Sequence, residues 1–107
     1  MVETTKTAVI EPAKNAAEAY ENWIALAFNM EEINGGNSAQ MNSPYLFIFT
    51  DDGRFAQVTK AEYIDKYSSK KCYRPYSGTY TKSAIKDARN QYRLALEALE
   101  TALELNL

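Results

Sequence analysis

Eight of the twelve basic residues fall between Lys66 and Arg93: Lys66, Lys70, Lys71, Arg74, Lys82, Lys86, Arg89 and Arg93. Asp87 is the one acid among them, so this stretch carries +7, while residues 1–65 hold four cations against ten acids and residues 94–107 hold three acids and no cation. A chain of net charge −2 is therefore strongly polarised along its length. Tyr67, Tyr73, Tyr76 and Tyr80, half of the eight tyrosines, are interleaved with the cations between Lys66 and Lys82. Such a mixture can hold a phosphate by charge-assisted hydrogen bonds and stack a base on an aromatic ring, or it can meet an acidic surface of another protein. The candidate binding residues are Lys70, Lys71, Arg74, Tyr76, Tyr80, Lys82, Lys86, Arg89 and Arg93.

Other chemistries find less material. The chain has no histidine, which removes the commonest general base and the commonest transition-metal ligand. Cys72 is the sole cysteine, so no internal disulfide, zinc site or Cys-His nucleophile follows from it, and it reads as an incidental thiol beside a strand. Glu31-Glu32 and Asp51-Asp52 are sequence neighbours that point in different directions on a helix or a strand, so neither makes a carboxylate pair. Asp51-Asp52-Gly53 lacks the alternating spacing of a calcium loop and reads as a turn. The chain is accordingly expected not to be an enzyme and to need no metal or cofactor. No apolar run approaches the roughly 20 residues of a membrane span, and Met1–Ile10 does not resemble a signal peptide, which together give a cytoplasmic expectation.

The elements that must position these residues are legible from periodicity and punctuation. Residues 1–10 read as a flexible arm or a short strand, and residues 11–107 as a single α+β domain. Pro12 suits a first helical position, so a helix is expected from Glu11-Pro12. Ala16, Tyr20, Trp23, Ala27 and Met30 form its buried stripe with Ile24 and Phe28, and Gly35-Gly36 ends it. A polar loop runs from Asn37 to Pro44. Tyr45 to Thr50 and Arg54 to Val58 make a hairpin about Asp52-Gly53, with Phe47, Phe49 and, on the first helix, Trp23 in the core. Thr59 and Glu62 form a capping box for a short helix from Lys60 to about Tyr67, which Ala61, Tyr63 and Ile64 pack on the hairpin. Pro75 and Gly78 mark residues 71–80 as an edge strand or two short extended pieces. The longest helix runs from Thr81 or Ser83 to about Leu105, with Ile85, Ala88, Tyr92, Ala95, Leu96, Leu99, Ala102 and Leu103 on one face. The sum is an α+β fold: a small antiparallel sheet, hairpin plus edge strand, flanked by two long amphipathic helices and one short helix.

On that last helix Lys82, Lys86, Arg89, Arg93, Glu97, Glu100 and Glu104 are spaced by three or four, so they share a face. The order, cations first and anions last, opposes the helix dipole. Surface charges contribute little each, so a solvated face explains the stripe as readily as any function does. Two functional readings compete with that explanation. One is an interaction module that binds a protein partner or a second copy of itself through this stripe, with Leu94, Ala98 and Leu105 offered to a partner helix. The other is a binder of a phosphate-bearing ligand, nucleotide-like or single-stranded nucleic acid, through the basic, tyrosine-rich 66–93 segment and the free N–H groups at the helix start, near Thr81 and Ser83. The first is favoured.

Overall fold

Thr59 accepts a hydrogen bond from the Glu62 N–H at 3.1 Å while the Glu62 carboxylate accepts one from the Thr59 N–H at 3.3 Å, which closes the expected capping box and starts a helix. Around it, a computed structural model describes residues 2–33 and 45–106, with residues 2–7 described by their backbone alone. The elements are α1 (Val2–Ala27), β1 (Met30–Ile33), β2 (Tyr45–Phe49), β3 (Phe55–Thr59), α2 (Lys60–Lys66), β4 (Cys72–Pro75) and α3 (Lys82–Leu105). Three helices and a four-stranded antiparallel sheet make an α+β fold. The expected loop 37–44 and the Gly35-Gly36 cap lie outside the described residues. The chain forms two units, Asn29–Thr79 and the discontinuous pair Met1–Phe28 with Tyr80–Leu107.

The Asn29–Thr79 unit holds the sheet, in the order β1-β4-β2-β3. The β2–β3 hairpin turns through Thr50–Arg54, with the Gly53 N–H donating to the Thr50 carbonyl at 3.0 Å and Gly53 at φ 83°, the conformation for which glycine was expected. Register places Leu46 opposite Val58 and Ile48 opposite both Ala56 and Cys72, while Ile33 pairs with Cys72 from β1. Those side chains share one face, and with Tyr63 of α2 they form the core. Leu46 is 0% exposed. Phe47 and Phe49 point the other way and are only half-buried, so the expectation that they form the core is corrected: alternation along β2 gives that place to Leu46 and Ile48. Their face carries an aromatic chain of Phe49, Phe55 and Tyr73, in edge-on contacts of 5.2 Å. On α2 only Tyr63 packs inward; Ala61 and Ile64 are exposed, since a seven-residue helix presents one side to a sheet.

β4 is an internal strand, lying between β1 and β2 rather than at the edge. Its proline is tolerated because the β2 ladder reaches only Tyr73 and Cys72 and stops short of Pro75. The unexpected element is β1. Met30 fits a helical stripe by spacing, yet α1 stops at Ala27 because Asn29 takes the left-handed conformation, φ 58°, that ends a helix. The Asn29 side-chain Nδ2 then donates to the carbonyls of Tyr76 at 3.0 Å and Gly78 at 2.6 Å, and the backbone carbonyl of Asn29 accepts the Tyr76 N–H at 2.7 Å. Asn29 thus holds the two ends of this unit together.

The second unit is the pair α1 and α3. The helix begins at Val2, not at Glu11, so residues 2–10, expected in an arm or short strand, are helical, and Pro12 lies inside the helix. A proline releases the carbonyl four residues earlier, and that residue, Ala8, is exposed, where water can satisfy it. Ala16 on α1 and Ala88 on α3 are buried, and Val9, Pro12, Ala19, Trp23 and Leu26 on α1 and Ile85, Tyr92, Ala95, Leu99 and Ala102 on α3 are half-buried. Both series step alternately by three and four, the spacing of a helix–helix seam. Ala27 and Phe28, expected on the buried stripe, are exposed. Tyr92 stacks on Trp23 at 5.7 Å and meets Tyr20 at 5.2 Å, contacts that add about 0.5–1.5 kcal/mol each beyond burial. No described helix is long and apolar enough to cross a membrane.

Candidate functional site

α3 is capped by Thr81, whose hydroxyl accepts from the Ala84 N–H at 3.1 Å. From this cap the helix turns about 100° per residue, which divides its surface into three stripes roughly 120° apart. The first is the seam that packs on α1. The second is the charged stripe: Lys82, Lys86, Arg89, Arg93, Glu97, Glu100 and Glu104 are all exposed. The third holds Ser83, Asp87 and Asn90 and then Leu94, Ala98, Thr101 and Leu105, also exposed. Leu94, Ala98 and Leu105 therefore lie outside the packed face, as their spacing implied, and Leu103, expected on that face, is 40% exposed at its margin.

Within the charged stripe one ion pair is made, Arg93 to Glu97 at 2.8 Å, where the sign changes. Such an exposed pair four residues apart contributes about 0.3–0.5 kcal/mol. Lys82, Lys86 and Arg89 above it have no acidic partner among the described residues, and Glu100 and Glu104 below it have no basic one. The stripe is thus neutralised at its middle and open at both ends.

Of the other candidates, Lys70, Lys71, Arg74 and Tyr76 belong to the sheet unit and Tyr80 to the helix pair, so the nine positions are divided between the two units. Arg74 pairs through Nε with Glu31 directly across the β1–β4 ladder. Lys70 reaches Asp51 at 3.3 Å. Lys71 is exposed. Tyr76 is half-buried, with its ring over Gly78: a Cβ on that glycine would stand 2.8 Å from the ring. Tyr80, half-buried, belongs with α3. Of the other interleaved tyrosines, Tyr73 is buried in the sheet and Tyr67 packs against its core.

Three titratable groups outside the candidate residues have shifted pKa values, each from packing or from a turn. Cys72 is buried in the core of the sheet unit, and desolvation pushes its thiol above the ordinary range, away from nucleophilic use. Tyr63 is likewise raised, by desolvation and then by the neighbouring Cys72, and its hydroxyl donates to the Lys70 carbonyl at 2.8 Å. Asp52 is lowered by the hydrogen bonds of Thr50 and then of Arg54, which grips it through Nη2 at 2.6 Å. No three Cys, Asp or Glu side chains among the described residues are placed to hold a metal ion. Sequence reasoning missed Asn29, whose tightly held turn had no periodic signal to announce it.

No protein-family model matches the chain, and neither a curated protein nor a solved structure matches it.

Proposed function

We propose that this protein is a non-catalytic interaction module that engages a protein surface through the charged face of α3. The observation that carries the reading is that all seven stripe charges are exposed while one internal pair, Arg93–Glu97, is formed, which leaves a cationic and an anionic end free for a complementary surface. The dipole opposes this order of signs, so helix stability does not account for it. The phosphate-ligand reading draws less support: Arg74 and Lys70 already have carboxylate partners, Tyr73 is a packing residue, and Thr81 satisfies a donor at the helix start itself.

The test compares wild type with Lys86→Glu/Arg89→Glu, which reverses charge without touching the packed seam. Circular dichroism should be unchanged, and melting should move only by the stability that association contributes. Self-association in sedimentation, and retention of proteins from an extract of the cells that make it, should weaken with salt in the wild type and be lost in the variant. Identical sedimentation and identical retained proteins for both chains at every salt concentration would overturn the reading.

A further inference from the structure

Resting on that reading, we infer that the partner is a second copy of the chain, its α3 packed antiparallel on the first across a two-fold axis at the level of Ala95. The positions specify this register. Lys86 and Glu104 are centred on residue 95, Arg93 and Glu97 are centred on the same residue, and Arg89 and Glu100 are centred half a residue before it. A two-fold axis there sets each basic residue of one helix against an acidic residue of the other, in three pairs that each occur twice. Four of the six side chains in one copy, Lys86, Arg89, Glu100 and Glu104, have no opposite charge among the described residues, so assembly supplies what the single chain lacks. Arg93 and Glu97, already paired within the chain, sit at the axis and can exchange partners with their copies at little cost.

The same axis brings apolar side chains together. Leu96 lies about 60° to one side of the charged stripe and Leu94, 49% exposed, about 100° to the other. Rotation about a two-fold axis perpendicular to two antiparallel helices keeps each flank beside its own copy. Leu96 then meets Leu96 and Leu94 approaches Leu94, so the central ion pairs are bracketed by apolar contact. A parallel pairing has neither property: it would stack cation on cation and acid on acid.

The experiment is sedimentation of the full chain and its variants. Wild type should be a dimer whose affinity falls as salt rises. Lys86→Glu/Arg89→Glu and Glu100→Lys/Glu104→Lys should each be weakened at least about a hundredfold, since each sets like charges against one another at four places. Mixed in equal amounts, the two variants should form a 1:1 heterodimer. Single reversals report the register: Glu104→Lys should rescue Lys86→Glu, and Glu97→Lys should not. A wild type that stays monomeric at low salt overturns the inference, as does a dimer indifferent to these reversals or a mixture that fails to assemble. If wild type is monomeric yet binds a different protein in a manner lost in Lys86→Glu/Arg89→Glu, self-pairing falls and the interaction reading stands; if neither kind of binding responds, both fall.

Discussion

Replacing Asn29 separates the backbone contribution of a single residue from that of its side chain. Asn29 sits at φ 58° and its amide donates to the carbonyls of Tyr76 and Gly78. Each bond contributes about 1 kcal/mol net, and a side chain without local hydrogen bonding pays roughly 1 kcal/mol more than glycine for the left-handed conformation. The Asn29 Oδ1 is buried without a partner among the described residues, an existing cost that truncation removes and that returns about 1 kcal/mol. Asn29→Ala should therefore destabilise by about 2 kcal/mol and Asn29→Gly by about 1 kcal/mol. Asn29→Asp should be worst at neutral pH, because a carboxylate would face two carbonyl oxygens. Its folded-state pKa would be raised, so the variant should be most stable below the ordinary aspartate range and lose stability as pH rises through it, protonation restoring one donor. Denaturant unfolding of the four chains at pH 7 and at pH 3.5 measures all of this. Alanine and glycine variants of equal stability would refute the strain argument, and an aspartate variant as stable as wild type at pH 7 would refute the role of the two bonds.

Three further outcomes follow from the sheet unit. Leu46→Ala should cost about 2–5 kcal/mol, and Phe47→Ala less despite its larger side chain, because Leu46 is sealed and Phe47 is not; thermal melts that reversed this order would undo the core assignment. Cys72, buried with its thiol pKa raised, should resist thiol-modifying reagents until denaturant is added, and rapid labelling of the native chain would contradict its placement. Asp52→Asn should lower stability at pH 6. Because the folded-state pKa of Asp52 is depressed, its contribution is present above the unfolded value and is lost as pH falls through the folded one, so the two chains should converge in acid. A difference between them that persisted at pH 2 would assign the effect to another cause.

Much of the fold could be read from local signals. The hairpin followed from Asp52-Gly53 between apolar runs, α2 from Thr59 and Glu62, and α3 from an apolar spacing that continued for about five turns. Errors arose where one residue admitted two grammars. Pro12 suits a first helical position, yet helix precedes it, since a proline inside a helix remains affordable where the released carbonyl reaches water. Met30 continued the helical stripe in register, and only the left-handed Asn29 diverts it into β1. With β1 unseen, β4 had one neighbour instead of two and was assigned to the edge. The charged stripe was fully legible, because exposed residues on a regular helix keep the spacing the sequence shows. The ion pairs of Arg74 and Lys70 were not, because they join residues far apart in sequence.

The sheet unit interrupts the helix pair, and Asn29 ties off the interruption. In an unfolded chain α1 and α3 are separated by a loop of roughly 50 residues, whereas with Asn29 bonded to Tyr76 and Gly78 the effective loop is about six, which lowers the closure entropy by close to 2 kcal/mol. A sheet unit that closes first, through the β1–β4 ladder and the Asn29 bonds, would act as a clasp on which the helices zip afterwards. Trp23, the sole tryptophan, lies in the helix pair and reports that later event by its fluorescence. In stopped-flow refolding Asn29→Ala should slow the Trp23 signal by up to about thirtyfold. A Trp23 refolding rate untouched by that substitution would mean that the helices find one another across the open loop.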